Sequence, residues 1–266
     1  RGDKREYGEW AYPYFLFARS LAAYRLGRYE EAAALASGEA ATILGPAPDL
    51  TLAMSLFQLG KSVEARQTLA RAIQKFNWSP DEAVMREAWM YHILRREAER
   101  LIVPQVEAFL ENRYSPRDND ERFAMLGACL AKQRFGLAAQ LYRDAFAVDP
   151  TLTDVMEGRR FVAARLAALA GGEGADATVN DTELSRSSWR RQSRAWLREE
   201  LNACASLAAS GEPTRRAFCI RMLDQWASDR SLSSIRDNSE RLPADEQAEC
   251  RTLWLEVEAL RRRLAE

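Results

Sequence analysis

The sequence predicts an all-α protein: antiparallel helical hairpins stacked as a short right-handed solenoid and closed by a C-terminal helical cap. Three observations lead there. Apolar residues recur at helical spacing along nearly the whole chain, one hairpin-turn motif repeats at a fixed interval, and turn-forming residues are scarce. Of 266 residues, 47% are hydrophobic and 29% charged, but only 13 are Gly and 9 are Pro. A sandwich or barrel needs a turn roughly every 8–12 residues, which this supply does not cover. The length suits one large domain or two small ones.

The stretch from Tyr14 to Arg25 places Phe17, Leu21 and Tyr24 on one helical face. Gly27 punctuates it, and a second helix is predicted from Tyr29. The run Leu26-Gly27-Arg28-Tyr29-Glu30-Glu31-Ala32 therefore reads as a hairpin turn, because glycine tolerates the left-handed backbone that such a turn requires. A parallel copy follows in Leu59-Gly60-Lys61-Ser62-Val63-Glu64-Ala65, with Ala32 and Ala65 separated by 33 residues. That step is close to the period of about 34 of tetratricopeptide repeats, in which a small residue lets paired helices approach. Phe135, Ala138, Tyr142, Ala145 and Pro150 supply the second helix and stop of a further copy. The segment between, residues 80–114, reads as a degenerate unit with a helix to Ile102 and a restart at Pro104. Asp118-x-x-Glu121 is a capping signal for the next helix.

These hairpins assign residues 1–150 to the repeat region and 151–266 to the C-terminal block. In the latter, helices are predicted from Val155 to Ala170, Glu183 to Ala208, Pro213 to Ala227 and Ala244 to Ala265, with a flexible loop over 171–182. A solenoid needs an end unit that covers its last apolar face, and this block fits that need.

Several runs go beyond a generic repeat: residues 89–99 (WMYHILRREAE), 114–122 (YSPRDNDER), 196–201 (WLREEL) and 253–257 (LWLEV). Together, from Trp10 to Leu260, they resemble the C-terminal tetratricopeptide-type region of planctomycete-type bacterial proteins. Many of those carry an N-terminal eukaryotic-like serine/threonine kinase domain. The resemblance implies a helical, non-catalytic accessory region tethered to a kinase in the bacterial cytoplasm, and it supplies no catalytic residue. The chain itself has no H-R-D catalytic loop, no D-F-G and no glycine-rich loop after a strand. It opens on Arg1 rather than Met, which reads as a piece of a longer protein.

Composition narrows the chemistry. His92 is the only histidine, so one imidazole at most is on hand for acid–base work; its place in an aromatic-rich helix favours a packing role. No cofactor or metal is implied. Basic and acidic residues number 38 and 39, which gives no overall field for nucleic acid or an anionic membrane. Four lysines against 34 arginines reflect a GC-rich coding sequence rather than a function. Cys129, Cys204, Cys219 and Cys250 show no metal spacing and read as buried thiols. No run approaches the roughly 18 apolar residues of a membrane span, and no signal peptide is evident. Gly172-Glu173-Gly174-Ala175-Asp176-Ala177 matches a dinucleotide motif in letters only, since a helix rather than a strand precedes it. The Arg1-Gly2-Asp3 tripeptide and the sequons at Asn77 and Asn180 read as chance.

Two surfaces remain as candidates. By repeat register, a concave groove is lined by Tyr14, Phe17, Leu21, Tyr24 and Arg25 of the first unit. Leu50, Met54, Phe57 and Gln58 follow from the second, and Asp120, Phe123 and Leu130 from the third. This aromatic and aliphatic lining suits an apolar protein or peptide partner. Leu21 occupies a position where carboxylate-binding repeats carry a clamp residue, which argues against a chaperone-tail receptor. The alternative surface is the stripe Arg186, Arg190, Arg194 and Arg198, four guanidinium groups along one helical face. It reads either as an anion or nucleic-acid site or as a solvated face paired with acidic neighbours, and the second is preferred.

Overall fold

The computed structural model describes residues 8–80, 87–172, 183–237 and 239–265. The tripeptide at 1–3, most of the 171–182 loop and the sequon at Asn180 lie outside them. The described residues are helical throughout, with no strand among them. Contacts divide the chain into two units, residues 1–133 and 134–266. The 135–148 helix thus groups with the residues C-terminal to it, whereas the repeat spacing placed it with the residues before 150.

The first unit contains α1 (Tyr12–Arg25), α2 (Tyr29–Ser37), α3 (Ala47–Gln58), α4 (Ser62–Gln74), α5 (Ala88–Ile102), α6 (Val106–Leu110) and α7 (Asn119–Ala131). Both hairpin turns use one device. Gly27 and Gly60 sit at φ of 75° and 78°, in the left-handed region. The amides of Arg28 and Lys61 then reach back to the carbonyls of Ala23 and Leu56, at 2.9 and 3.0 Å. These bonds satisfy carbonyls that the helix end would leave bare. The next residues share a backbone geometry, φ −89° and ψ 69° at Arg28 and φ −87° and ψ 61° at Lys61. The same local geometry recurs at the third predicted turn, with Gln133 at φ 54° and Arg134 at φ −84° and ψ 65°.

Small residues close the hairpins. Ala23, Ala32, Ala36 and Ala65 are wholly buried, and the Ser20 hydroxyl donates to the Ala32 carbonyl at 2.8 Å, tying α1 to α2. Within the unit α1 packs on α2, α2 on α3 and α3 on α4. Helix α5 packs on α3 and α4, and α7 packs on α4. Pro104 separates α5 from α6, as its position predicted. Asp118 caps α7 by accepting the Glu121 amide at 2.8 Å, while the Glu121 carboxylate returns to the Arg117 amide at 2.7 Å.

The second unit contains α8 (Phe135–Val148), α9 (Arg159–Ala170), α10 (Glu183–Ala208), α11 (Pro213–Ser228), α12 (Ser233–Arg236) and α13 (Ala244–Ala265). Gly158 at φ 65° separates a short 3-10 turn, Val155–Glu157, from α9, so the single helix predicted from Val155 is split. Helix α10 is the hub, packing on α9, α11 and α13. The four cysteines are buried thiols. Among the described residues, no helix is long and apolar enough to cross a membrane.

Gly127 of α7 marks the tightest approach in the first unit. A Cβ there would lie 2.8 Å from Ile73 Cδ1 and 2.9 Å from Arg95 Cδ. Gly127→Ala is therefore expected to destabilise the protein by about 1–3 kcal/mol through overpacking, although alanine is the better helix former. Urea unfolding of the two proteins measures this; an unchanged or raised midpoint would show that the notch is not needed.

Candidate functional site

Helix α5 has two unlike faces. Ala88, Tyr91, Leu94, Arg95, Ala98, Glu99 and Ile102 are buried. Trp89, Ile93, Arg96 and Arg100 point outward, with Trp89 63% and Ile93 46% exposed. Their spacing of four, three and four residues places them in one line along the helix.

The buried face fixes the helix in rotation. Arg95 Nη1 donates to both Glu99 oxygens, at 2.8 and 3.0 Å, inside the core. The Arg95 guanidinium carbon lies 5.4 Å from the centre of the Trp78 ring, and Trp78 Nε1 donates to the Ile73 carbonyl at 2.7 Å. Burial pushes the Glu99 carboxyl up to about 7, against the opposing pull of Arg95. His92 packs edge-on to Trp78 and Phe76, with ring centres 5.5 and 6.2 Å away. Burial, then Arg95 and Arg96, hold its pKa below the ordinary value, and its buried Nε2 has no hydrogen-bond partner among the described residues. This is the packing environment that the sequence reading assigned to it.

The predicted groove is filled in part. Phe17, Tyr24, Leu50, Met54 and Phe123 are core residues. Helix α5 packs on α3, which carries Leu50 and Met54, while α1, which carries Phe17 and Tyr24, packs on α2 and α3. Tyr14 (47% exposed) and Gln58 remain at the surface, and Phe57 is half-buried. Arg25 is exposed but engaged: its guanidinium forks onto Glu97 of α5, with Nη2 donating to Oε2 at 2.6 Å. The groove assignment is thus corrected for Phe17, Tyr24 and Met54, whose side chains have no surface to offer, and Arg25 is already committed.

The arginine stripe of the second unit is also redrawn. Arg190 and Arg194 are buried rather than solvated. Glu246 of α13 accepts from Arg190 Nε and Nη2, both at 2.9 Å, and from Arg194 Nη1 at 3.1 Å. Arg194 also donates to Glu249 at 2.6 Å, and Arg198 meets Glu256 at 3.3 Å. Arg186 pairs with Glu183 at 3.2 Å. The Arg190 guanidinium holds the Glu246 carboxyl down at about 2, the reverse of Glu99. The stripe is therefore not an open anion site: Arg190, Arg194 and Arg198 join α10 to α13, and Arg186 pairs within α10. A cavity of about 940 Å³ borders this cluster, between Gly171, Arg186, Ser234 and Arg241. Its rim carries Gly172 and Glu183, which flank residues 173–182, outside the described part of the chain.

The outward face of α5 escaped the sequence reading, which took residues 89–99 only as part of a resemblance. A signal was present. Tyr91, Leu94 and Ala98 supply one apolar stripe, and Trp89 with Ile93 starts a second on the opposite side. No family model, curated protein or solved structure matches the chain.

Glu99 and His92 give opposite pH effects. A carboxyl raised from its ordinary value of 4.5 to about 7 in the folded state adds stability that is full below pH 4.5 and lost as pH rises through 7. The lowered His92 works the other way and cancels in a comparison of variants that both retain it. The urea midpoint of the parent protein, relative to that of Glu99→Gln, is expected to fall between about pH 5 and pH 8. A difference that stays constant across this range would show that Glu99 does not titrate there.

Proposed function

We propose that this chain is a non-catalytic protein-interaction module whose docking face is the outward side of α5. The observation that supports this reading is the adjacent exposure of Trp89 and Ile93 on a helix whose opposite side is fully packed. A tryptophan and a β-branched side chain held on a rigid helix lose little entropy on association, and tryptophan is enriched among binding hot spots. Packing of the only histidine against Trp78 and Phe76 supports the non-catalytic part of the proposal.

The finer reading belongs to the same proposal. The tetratricopeptide-like, right-handed solenoid of the first unit is supported by the repeated turn at Gly27 and Gly60 and its local recurrence at Gln133. Membership in a larger bacterial signalling protein, such as a cytoplasmic serine/threonine kinase, rests on the resemblance of residues 89–99, 114–122, 196–201 and 253–257.

The test is selection of binders from an unbiased peptide-display library on the immobilised full chain, followed by affinity measurement. Trp89→Ser with Ile93→Ser is expected to leave the circular dichroism spectrum unchanged and weaken the selected binders by about tenfold or more. Binders that keep their affinity for the folded double variant would move the docking face elsewhere, and a library that yields none would reject the module reading.

A further inference from the structure

We propose that the partner seated on α5 is an acidic amphipathic helix, with apolar residues over Trp89 and Ile93 and carboxylates over Arg96 and Arg100. This rests on the docking face proposed above and adds the chemistry of its occupant. The four side chains form a seam along residues 89–100, eleven helical steps or about 17 Å. A four-three-four spacing is the repeat by which one helix presents a straight row to a second, so a helix with the same spacing meets all four side chains at once. An extended strand, with same-side residues roughly 7 Å apart, meets the seam out of step.

Charge decides what that helix carries. Arg96 donates only weakly, from Nε to the His92 carbonyl of its own helix at 3.4 Å. Neither Arg96 nor Arg100 has a carboxylate partner among the described residues. The nearby acids of α5 are committed: Glu97 to Arg25 and Glu99 to Arg95. Two uncompensated guanidinium groups in line with two apolar side chains ask for a ligand that is apolar at one end and acidic at the other. An anionic bilayer fits the pattern less well. A helix lying on a membrane keeps its cations on the polar side, whereas these arginines lie on the centre line of the seam.

The experiment uses a library displayed on a helical scaffold, with the four seam-facing positions randomised, selected against the full-length chain at low salt. The result expected is enrichment of Asp or Glu at the two positions facing Arg96 and Arg100 and of large apolar residues at the other two. Arg96→Glu with Arg100→Glu should weaken those binders by about tenfold or more, and replacing their carboxylates with lysine should restore binding to that variant alone. Enriched helices that are neutral or basic, or that bind the charge-reversed variant equally well, would overturn the acidic-helix proposal while leaving the docking face standing. Loss of affinity with Trp89→Ser and Ile93→Ser reports on the face itself, independently of charge. Retention of the protein on phosphatidylserine vesicles, with no acidic helix enriched, would overturn the proposal in favour of a membrane surface.

Discussion

The buried face of α5, with the Arg95–Glu99 pair inside it, sets how the first unit presents itself. Taking two charges out of water costs several kcal/mol per ion, about what a close, hydrogen-bonded partner returns, so such a pair adds little net stability. Rotating α5 would carry the pair away from Trp78 as a unit, since both residues lie on α5, and would turn Tyr91, Leu94 and Ala98 out of the core. Gly127 makes the arrangement possible, since α7 comes near enough to cover the pair only where a side chain is absent. With Arg95 and Glu99 fixed inward, helical geometry leaves Trp89, Ile93, Arg96 and Arg100 outward.

The second unit uses charge in a related way. Glu246 lies between Arg190 and Arg194, and the Gly171 carbonyl accepts from Arg190 Nη1 at 2.9 Å, so α9, α10 and α13 meet at one guanidinium. Glu200, also buried, accepts from Arg160 at 2.9 Å, and burial pushes its carboxyl up to about 7. Interior arginines of the second unit thus act as fasteners between helices.

How much of this was legible in the sequence depends on how local the cause is. The turns at Gly27 and Gly60, the cap at Asp118 and the break at Pro104 arise within a few residues, and the sequence announces each. The groove was misplaced because the periodicity of Leu50, Met54 and Phe57 is the same whether that face meets solvent or another helix. That α5 packs on α3 is a fact of packing between segments some 40 residues apart. The arginine stripe was read as a line of charge paired with acidic neighbours, but those neighbours, Glu246, Glu249 and Glu256, lie about 55 residues further on, where nothing local marks them as partners. The outward seam of α5 was visible in principle, since a helix with apolar residues on opposite sides buries only one of them locally.

Hydroxyl-radical footprinting of the full chain, free and bound to a selected helix, tests the central claim most directly. Trp89 is exposed and readily oxidised in the free protein, and Tyr14 serves as an internal reference on the former groove side. Protection of Trp89 on binding, with oxidation of Tyr14 unchanged, is the result the account predicts. Protection of Tyr14 with Trp89 still fully reactive would contradict it and return the docking site to the face between α1 and α3.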